Sequence, residues 1–261
     1  MPGSSFWGQK TCLVVTGASQ GIGQFFACEL SKLLGANSSV IIIARSVSGL
    51  EETRKRILEA NPAVKVKVHQ TDLSKVNLEE YATLFSAVDP DISLSLFIHN
   101  AGSLGDCTKL AVDMKDPDEW NSFMALNLYS VTALTSEYMR RLQKSSCKKV
   151  FVNITSLAAI EPIKSLGYYC IGKAAREMYF RVLGAESSDL RVLNYSPGPI
   201  DTNMVSTLLD KIRDEEVKNA FSSMKETGTL VKVEQSAEKL IRVLEADTYK
   251  SGGRVDFYDT N

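Results

Sequence analysis

Histidine is nearly missing from this 261-residue chain, which carries two, His69 and His99. Cysteine is sparse as well: Cys12, Cys28, Cys107, Cys147 and Cys170 are odd in number, widely scattered and never spaced as Cys-x-x-Cys. Such a set offers no zinc ligands and no disulfide framework, so no metal site is expected and a reducing compartment, the cytoplasm, is the expected location. Nor does either sign of charge dominate. Thirty Lys+Arg against 31 Asp+Glu leave a formal net charge of −1, which removes the electrostatic term behind nucleic-acid affinity and attraction to anionic lipid. Neither nucleic acid nor a membrane is expected as a partner. The longest aliphatic run, residues 40–44, falls far short of the roughly 20 residues that cross a bilayer. The first ten residues lack the basic start and apolar run of a secretory signal. No repeat, low-complexity tract or Pro/Gly/Ser linker divides the chain, so one domain over 1–261 is expected, with 1–9 as a flexible N-terminus.

What remains is an alternation. Short β-branched runs at 12–15, 40–44, 64–68, 94–98, 150–154, 192–195 and 255–257 read as seven strands. Between them lie amphipathic stretches such as 49–60 and 78–88, with Tyr81, Leu84, Phe85 and Val88 on one face of the latter. Strands buried on both faces and separated by helices imply a mostly parallel seven-stranded sheet in a Rossmann-type doubly wound α/β sandwich. Residues 201–232 interrupt the alternation with Leu208, Leu209, Ile212, Val217, Phe221 and Met224 at helical spacing. They read as a helical hairpin covering the core or as a lid over a substrate.

After the first strand, Thr16-Gly17-Ala18-Ser19-Gln20-Gly21-Ile22-Gly23 leads into a helix-like run. Glycine permits a tight turn and close backbone approach to a pyrophosphate, whose charge is favoured by the free N–H groups and dipole at a helix start. A plain strand-to-helix turn is the alternative, but the position in the first βα turn favours the cofactor reading. The spacing G-x-x-x-G-x-G resembles the cofactor loop of the short-chain dehydrogenase/reductase family, and the resemblance extends over residues 10–259. It implies a nicotinamide cofactor held by Gly17, Ser19, Gln20, Gly21, Ile22 and Gly23. The second strand ends Ile43-Ala44-Arg45-Ser46, where an NAD site would place a carboxylate for the ribose 2′-OH. Arg45 with the hydroxyls of Ser19 and Ser46 suits a 2′-phosphate instead, so NADP(H) is expected; Arg45 as a merely solvated strand-end residue is the alternative. Gln20 departs from the basic residue that many NADP-dependent members carry. Thr71-Asp72-Leu73 follows the third strand and Asn100-Ala101-Gly102 the fourth. The resemblance places Asp72 at the adenine, Asn100-Ala101-Gly102 along the cofactor, and Pro197, Gly198, Ile200 and Thr202 toward the nicotinamide. His99 departs from the family's Asn-Asn-Ala-Gly and reads as a packing variant.

Tyr169 and Lys173 stand four residues apart on a helical segment and so project together. An ammonium favours phenolate, drawing the hydroxyl down from about 10 toward working pH, as a proton donor to a carbonyl requires. Tyr168 has Gly172 four residues on and lacks such a partner; a plain surface pair is the alternative for Tyr169. Ser156 precedes Tyr169 by 13 residues, the family's separation, with Thr155 as the neighbouring hydroxyl, and Asn127 matches the family's fourth catalytic position. The resemblance implies that Tyr169 protonates a substrate oxygen that Ser156 hydrogen-bonds, that Lys173 holds the nicotinamide ribose and tunes Tyr169, and that Asn127 supports a proton-conducting water.

Three stretches resemble the pterin-reducing branch of the family: 100–106, 193–202 and the tail 253–259. The third contains Asp256. A carboxylate can accept two hydrogen bonds from an amino-pyrimidine edge, much as it does from a guanidinium; a structural carboxylate at a strand end is the alternative. The resemblance implies a pterin bearing a side-chain ketone as substrate, bound by Ser156, Tyr169 and Asp256, and a homodimer pairing helices around 120–141 and 174–183. A general carbonyl or steroid reductase and a noncatalytic NADP-sensing protein are the rival readings; the second predicts loss of part of the tetrad, and all four members are present.

Overall fold

The computed structural model describes residues 6–260. The seven apolar runs form β1 (Thr11–Thr16), β2 (Ser39–Ala44), β3 (Lys65–Gln70), β4 (Leu94–His99), β5 (Lys148–Ile154), β6 (Leu190–Ser196) and β7 (Gly253–Asp256). They join in one sheet of order β3-β2-β1-β4-β5-β6-β7, and every pairing is parallel. Alternate residues of a strand face opposite sides. Leu13, Val15, Val40 and Ile42 therefore enter one core with Phe26, Leu30, Leu240 and Leu244. Val14, Ile41 and Ile43 enter the other with Tyr81, Phe85, Tyr138 and Phe180.

The helices covering these faces are α1 (Gly21–Ser31), α2 (Val47–Ala60), α3 (Leu78–Ser86), α4 (Pro117–Met124), α5 (Ser130–Arg141), α6 (Gly167–Glu186), α7 (Asn203–Lys211), α8 (Glu215–Glu226) and α9 (Val233–Ala246). Short polar side chains start several of them: Ser46 accepts from Gly49 N, Asn77 from Glu80 N and Asp214 from Val217 N, satisfying N–H groups that a helix start leaves open. The sheet order reverses between β1 and β4, and ligands of such sheets bind outside the strand ends at that reversal. The glycine turn, Arg45, Thr71–Leu73, Asn100–Gly102, Ser156 and Asp256 lie at or just beyond a strand's carboxyl end, while Asn127, Tyr169 and Lys173 are carried by helical segments.

Of the flexible N-terminus expected at 1–9, residues 1–5 lie outside the described residues. The rest corrects that expectation: Phe6 is buried and edge-on to Trp7, Gly8 N donates to Leu33 O, and Gly35 N donates to Gln9 O. An aromatic pair with a core surface to cover outweighs the entropy of a loose end. Residues 201–232 contain the hairpin α7–α8, whose Leu208 and Ile212 pack on Leu104, Cys107 and Leu166, with Tyr169 and Cys170 at the edge of the cluster. Among the described residues no helix is long and apolar enough to cross a membrane, and no group of three or more His, Cys, Asp or Glu could hold a metal ion.

Candidate active site

The turn from β1 into α1 is built for an anion. Gly17 (φ 68°) and Gly21 (φ 58°) occupy the left-handed region, which costs glycine little. Gly23 serves a different need: a Cβ there would sit 2.4 Å from Gly17 O and 2.4 Å from Asn100 Nδ2. Gln20 caps α1 only through its backbone, and the first turn carries no acidic residue, so its N–H groups are open to a phosphate. A cleft of about 820 Å³ opens in front of this turn. Gly17, Ser19, Gln20, Gly21 and Ile22 line one wall; Ala44, Arg45 and Ser46 line the β2 end; Thr71 and Leu73 follow β3; Asn100, Ala101 and Gly102 follow β4. Thr202 closes it, and Asn203 Nδ2 donates to Gln20 Oε1 across it at 3.3 Å. The residues present therefore fit a dinucleotide.

Seven of the expected cofactor residues are not among those lining this cleft, Tyr169 and Lys173 on α6 and five others. Gly23 is beneath the turn. Asp72 accepts from the Ser74 backbone and hydroxyl at 3.1 and 2.8 Å, bonds that hold its carboxyl below the ordinary range; it shapes a turn while its neighbours line the cleft. Ile200 is buried and bridges to Val231. Pro197 O accepts from the Ser236 hydroxyl at 3.0 Å, and Gly198 (φ 78°) turns the chain against Val231. Pairing with α9 and its approach holds this loop back from the cleft. Leu126, Asp201, Asn203 and Met204 line the cleft without having been anticipated.

At the carboxyl end of β5, beside the β4 end that lines the cleft, β5 and α6 bring the other residues together. Ser156 caps a short 3-10 turn (Leu157–Ala159), its hydroxyl accepting from Ala158 N at 3.2 Å, and its side chain lies near enough to Tyr169 to draw the phenol down. Lys173 is buried one helical turn below Tyr169, its Nζ 5.5 Å from the ring centroid and 2.7 Å from Ile154 O, to which it donates. Asn127 is buried in a π-helical turn (Ala125–Tyr129), its Oδ1 accepting from Ser103 N at 3.0 Å and its Nδ2 donating to Phe123 O at 2.9 Å. That turn follows α4 directly; such bulges often mark functional positions. His99 is buried, stacked on Phe97 at 3.8 Å and 3.3 Å from the Thr135 hydroxyl, and burial pushes its imidazole well below the ordinary range. It packs.

A family model described as short chain dehydrogenase matches residues 11–213. This chain belongs to the short chain dehydrogenase family. Within it, sepiapterin reductase of Xenopus laevis is 38% identical over 250 residues, spanning 94% of this chain and 95% of that protein. Benzil reductase ((S)-benzoin forming) of Bacillus subtilis (strain 168) is 31% identical over 252 residues, 93% of this chain and 96% of that one. A short chain dehydrogenase of Escherichia coli CFT073, solved in complex with NADPH, shares the fold with a TM-score of 0.75 at 23% identity over 95% and 97% of the two chains.

In this short chain dehydrogenase the electrostatics of the Tyr169–Lys173 pair run against the sequence expectation. Burial raises the Tyr169 hydroxyl above its ordinary range, while the Ser156 hydrogen bond and the Arg176 guanidinium pull it back in part. Burial and Arg176 also push the Lys173 amine well down, against the pull of Glu177. Desolvation of the two buried groups outweighs their closeness on the helix. Two charged residues beside Lys173 had gone unremarked. Arg176 is buried and donates to Asn153 Oδ1 at 2.6 Å, to Ala101 O at 2.7 Å and to His99 O. Glu177 accepts from the Thr155 hydroxyl at 2.6 Å and from Arg254 at 2.7 Å. Arg254 reaches on to Asp256 at 3.4 Å, and Tyr258 N donates to the other carboxylate oxygen at 3.2 Å. The signal for both was present: Lys173, Arg176 and Glu177 recur on the face of α6 that carries Tyr169.

Proposed function

We propose that this protein uses NADPH to reduce the side-chain ketone of a pterin, as in the conversion of sepiapterin to dihydrobiopterin or of 6-pyruvoyl-tetrahydropterin to tetrahydrobiopterin, at the end of tetrahydrobiopterin synthesis. The observation that carries this reading is the meeting of Tyr169, Ser156 and Lys173 at the carboxyl end of β5, the strand beside the β4 end that lines the glycine-turned cleft. The full-length similarity to sepiapterin reductase supports the pterin. When bound, NADPH supplies the hydride. The Gly17–Gly23 turn and the open N–H groups of α1 hold the pyrophosphate, Arg45 and Ser46 the 2′-phosphate, and Lys173 the nicotinamide ribose. Tyr169 donates its proton to the ketone oxygen while the Ser156 hydroxyl hydrogen-bonds the same oxygen. Asn127 holds the loop after β4 through Ser103 and supports the water that restores the proton. The α7–α8 hairpin roofs the substrate end as a lid. Asp256 sits at the carboxyl end of β7, opposite Ser196 of β6, and receives the pterin's amino-pyrimidine edge. The test is to mix the protein with NADPH and sepiapterin and follow both chromophores: coupled loss of both is expected, and oxidation of neither overturns the proposal.

Asp256→Ala separates this reading from a general ketone reductase, which the similarity to benzil reductase favours. The substitution is expected to raise KM for sepiapterin at least about tenfold, the loss of a charge-assisted bidentate contact, with benzil turnover unchanged. Equal effects on both substrates would favour the general enzyme. Arg45→Asp replaces an exposed cation, which forms no salt bridge among the described residues, by an anion. It should raise KM for NADPH at least about tenfold and improve NADH use; steady-state kinetics with both cofactors checks it.

The cytoplasm remains the proposed location, in keeping with five free thiols, four of them buried. A homodimer is proposed through the outer faces of α5 and α6, where Ile171, Met178 and Val182 form an exposed apolar stripe. Sedimentation equilibrium of the purified protein checks it.

A further inference from the structure

Arg176 is 1% exposed and has no carboxylate within salt-bridge distance among the described residues. The neighbouring Glu177 is committed to Thr155 and Arg254. All three bonds of the guanidinium run to neutral oxygens: the Asn153 side chain of β5, and the carbonyls of His99 and Ala101 at the end of β4. Asn153 in turn donates to Asn194 of β6 at 2.9 Å, and Asn194 donates to Gly252 O at 3.0 Å. A buried cation without a counter-ion is unfavourable for folding, and an apolar side chain of similar size often serves a core as well. Its place, however, is specific. Ala101 lines the cofactor cleft, and α6 carries Tyr169 and Lys173 two turns and one turn before Arg176.

We propose that Arg176 is a positioning residue for the reduction: its guanidinium ties the cofactor-lining segment after β4 and the end of β5 to the helix bearing Tyr169 and Lys173. The inference rests on the reading of Tyr169 as proton donor. The groups facing this corner are few. On α6 they are Tyr169, Cys170, Lys173 and Glu177; from β4 comes His99, held neutral by burial; from β5 and its turn come the hydroxyls of Thr155 and Ser156; from β7 come Arg254 and Asp256, engaged with Glu177 and with each other.

Arg176→Lys lacks the planar fork that reaches three acceptors, and Arg176→Gln offers a single amide in its place. Fluorescence titration reads NADPH affinity, and steady-state kinetics separate kcat from KM for sepiapterin. The expected result in both variants is NADPH binding weakened about threefold or more and kcat lowered about tenfold or more, with KM for sepiapterin within about twofold. Unchanged NADPH affinity, or unchanged kcat, overturns the proposal. Should Arg176→Gln fail to fold, Arg176→Lys decides alone on the same two readouts. Full sepiapterin turnover by Tyr169→Phe would instead remove the proton-donor reading, on which NADPH affinity does not depend.

Discussion

Tyr169→Phe should lower kcat for ketone reduction by about 10²–10⁴, the range spanned by a positioned general acid, with NADPH affinity unchanged within about twofold. The ring stays and only the hydroxyl leaves, so packing beside Leu166 and the α7–α8 hairpin is kept. The same cause sets the pH profile. Burial raises the phenol above its ordinary range, and reduction needs the protonated form. Activity should therefore hold across neutral pH and be lost on the alkaline side, as pH rises through the ionisation of the phenol. Stopped-flow measurement of NADPH consumption against pH, with fluorescence titration of cofactor affinity, checks both. Near-normal turnover by the variant would mean that another group protonates the substrate.

Gly23→Ala is expected to be the most damaging of the small substitutions. The added methyl would meet a backbone oxygen and the Asn100 amide at 2.4 Å each. Neither yields freely: Asn100 Nδ2 also donates to Thr16 O at 3.0 Å, and Gly17 is held by the bond from its N–H to Ile43 O at 2.8 Å. Overpacking of this kind costs about 1–3 kcal/mol, equivalent to a Tm lower by roughly 2–12 °C at this chain length. The displaced turn should weaken NADPH binding at least about tenfold. Gly228→Ala is the control. That residue has φ 66° with nothing within 4 Å of the added methyl, so it carries the backbone penalty alone and should leave NADPH binding intact. Calorimetry and fluorescence titration on the pair distinguish crowding at the turn from general loss of stability.

The architecture was open to reading because it is written in local chemistry. β-Branched runs such as Val40 to Ala44 must be buried on both faces, and amphipathic stretches between them can only cover the sheet. Glycines at a strand-to-helix turn likewise declare their purpose by spacing. Where reading failed, the cause was three-dimensional. Phe6 and Trp7 look like part of a loose end until the surface they cover is known. The sign of the Tyr169 shift depends on how much solvent its surroundings exclude, which the i, i+4 spacing does not contain. Asp256 is legible as a carboxylate after a strand, but its tie to Arg254, and through it to Glu177 and Thr155, joins β7, α6 and β5 across residues far apart in the chain. Asp72 shows the converse: a motif position whose side chain turned to its own loop.

One face of α6 carries Tyr169, Lys173, Arg176 and Glu177, and all four turn to the end of β5 or the turn after it, Arg176 going on to β4 and Glu177 to β7. A tilt of that single rod would disturb the proposed proton donor and ribose holder, the buried cation and the tether to β7 simultaneously. The hairpin meets this axle at Tyr169 and Cys170 near its start, and the tail of the last strand lies beyond Arg254. New substrates can thus be accommodated by remodelling those outer parts while the reductive machinery keeps its alignment.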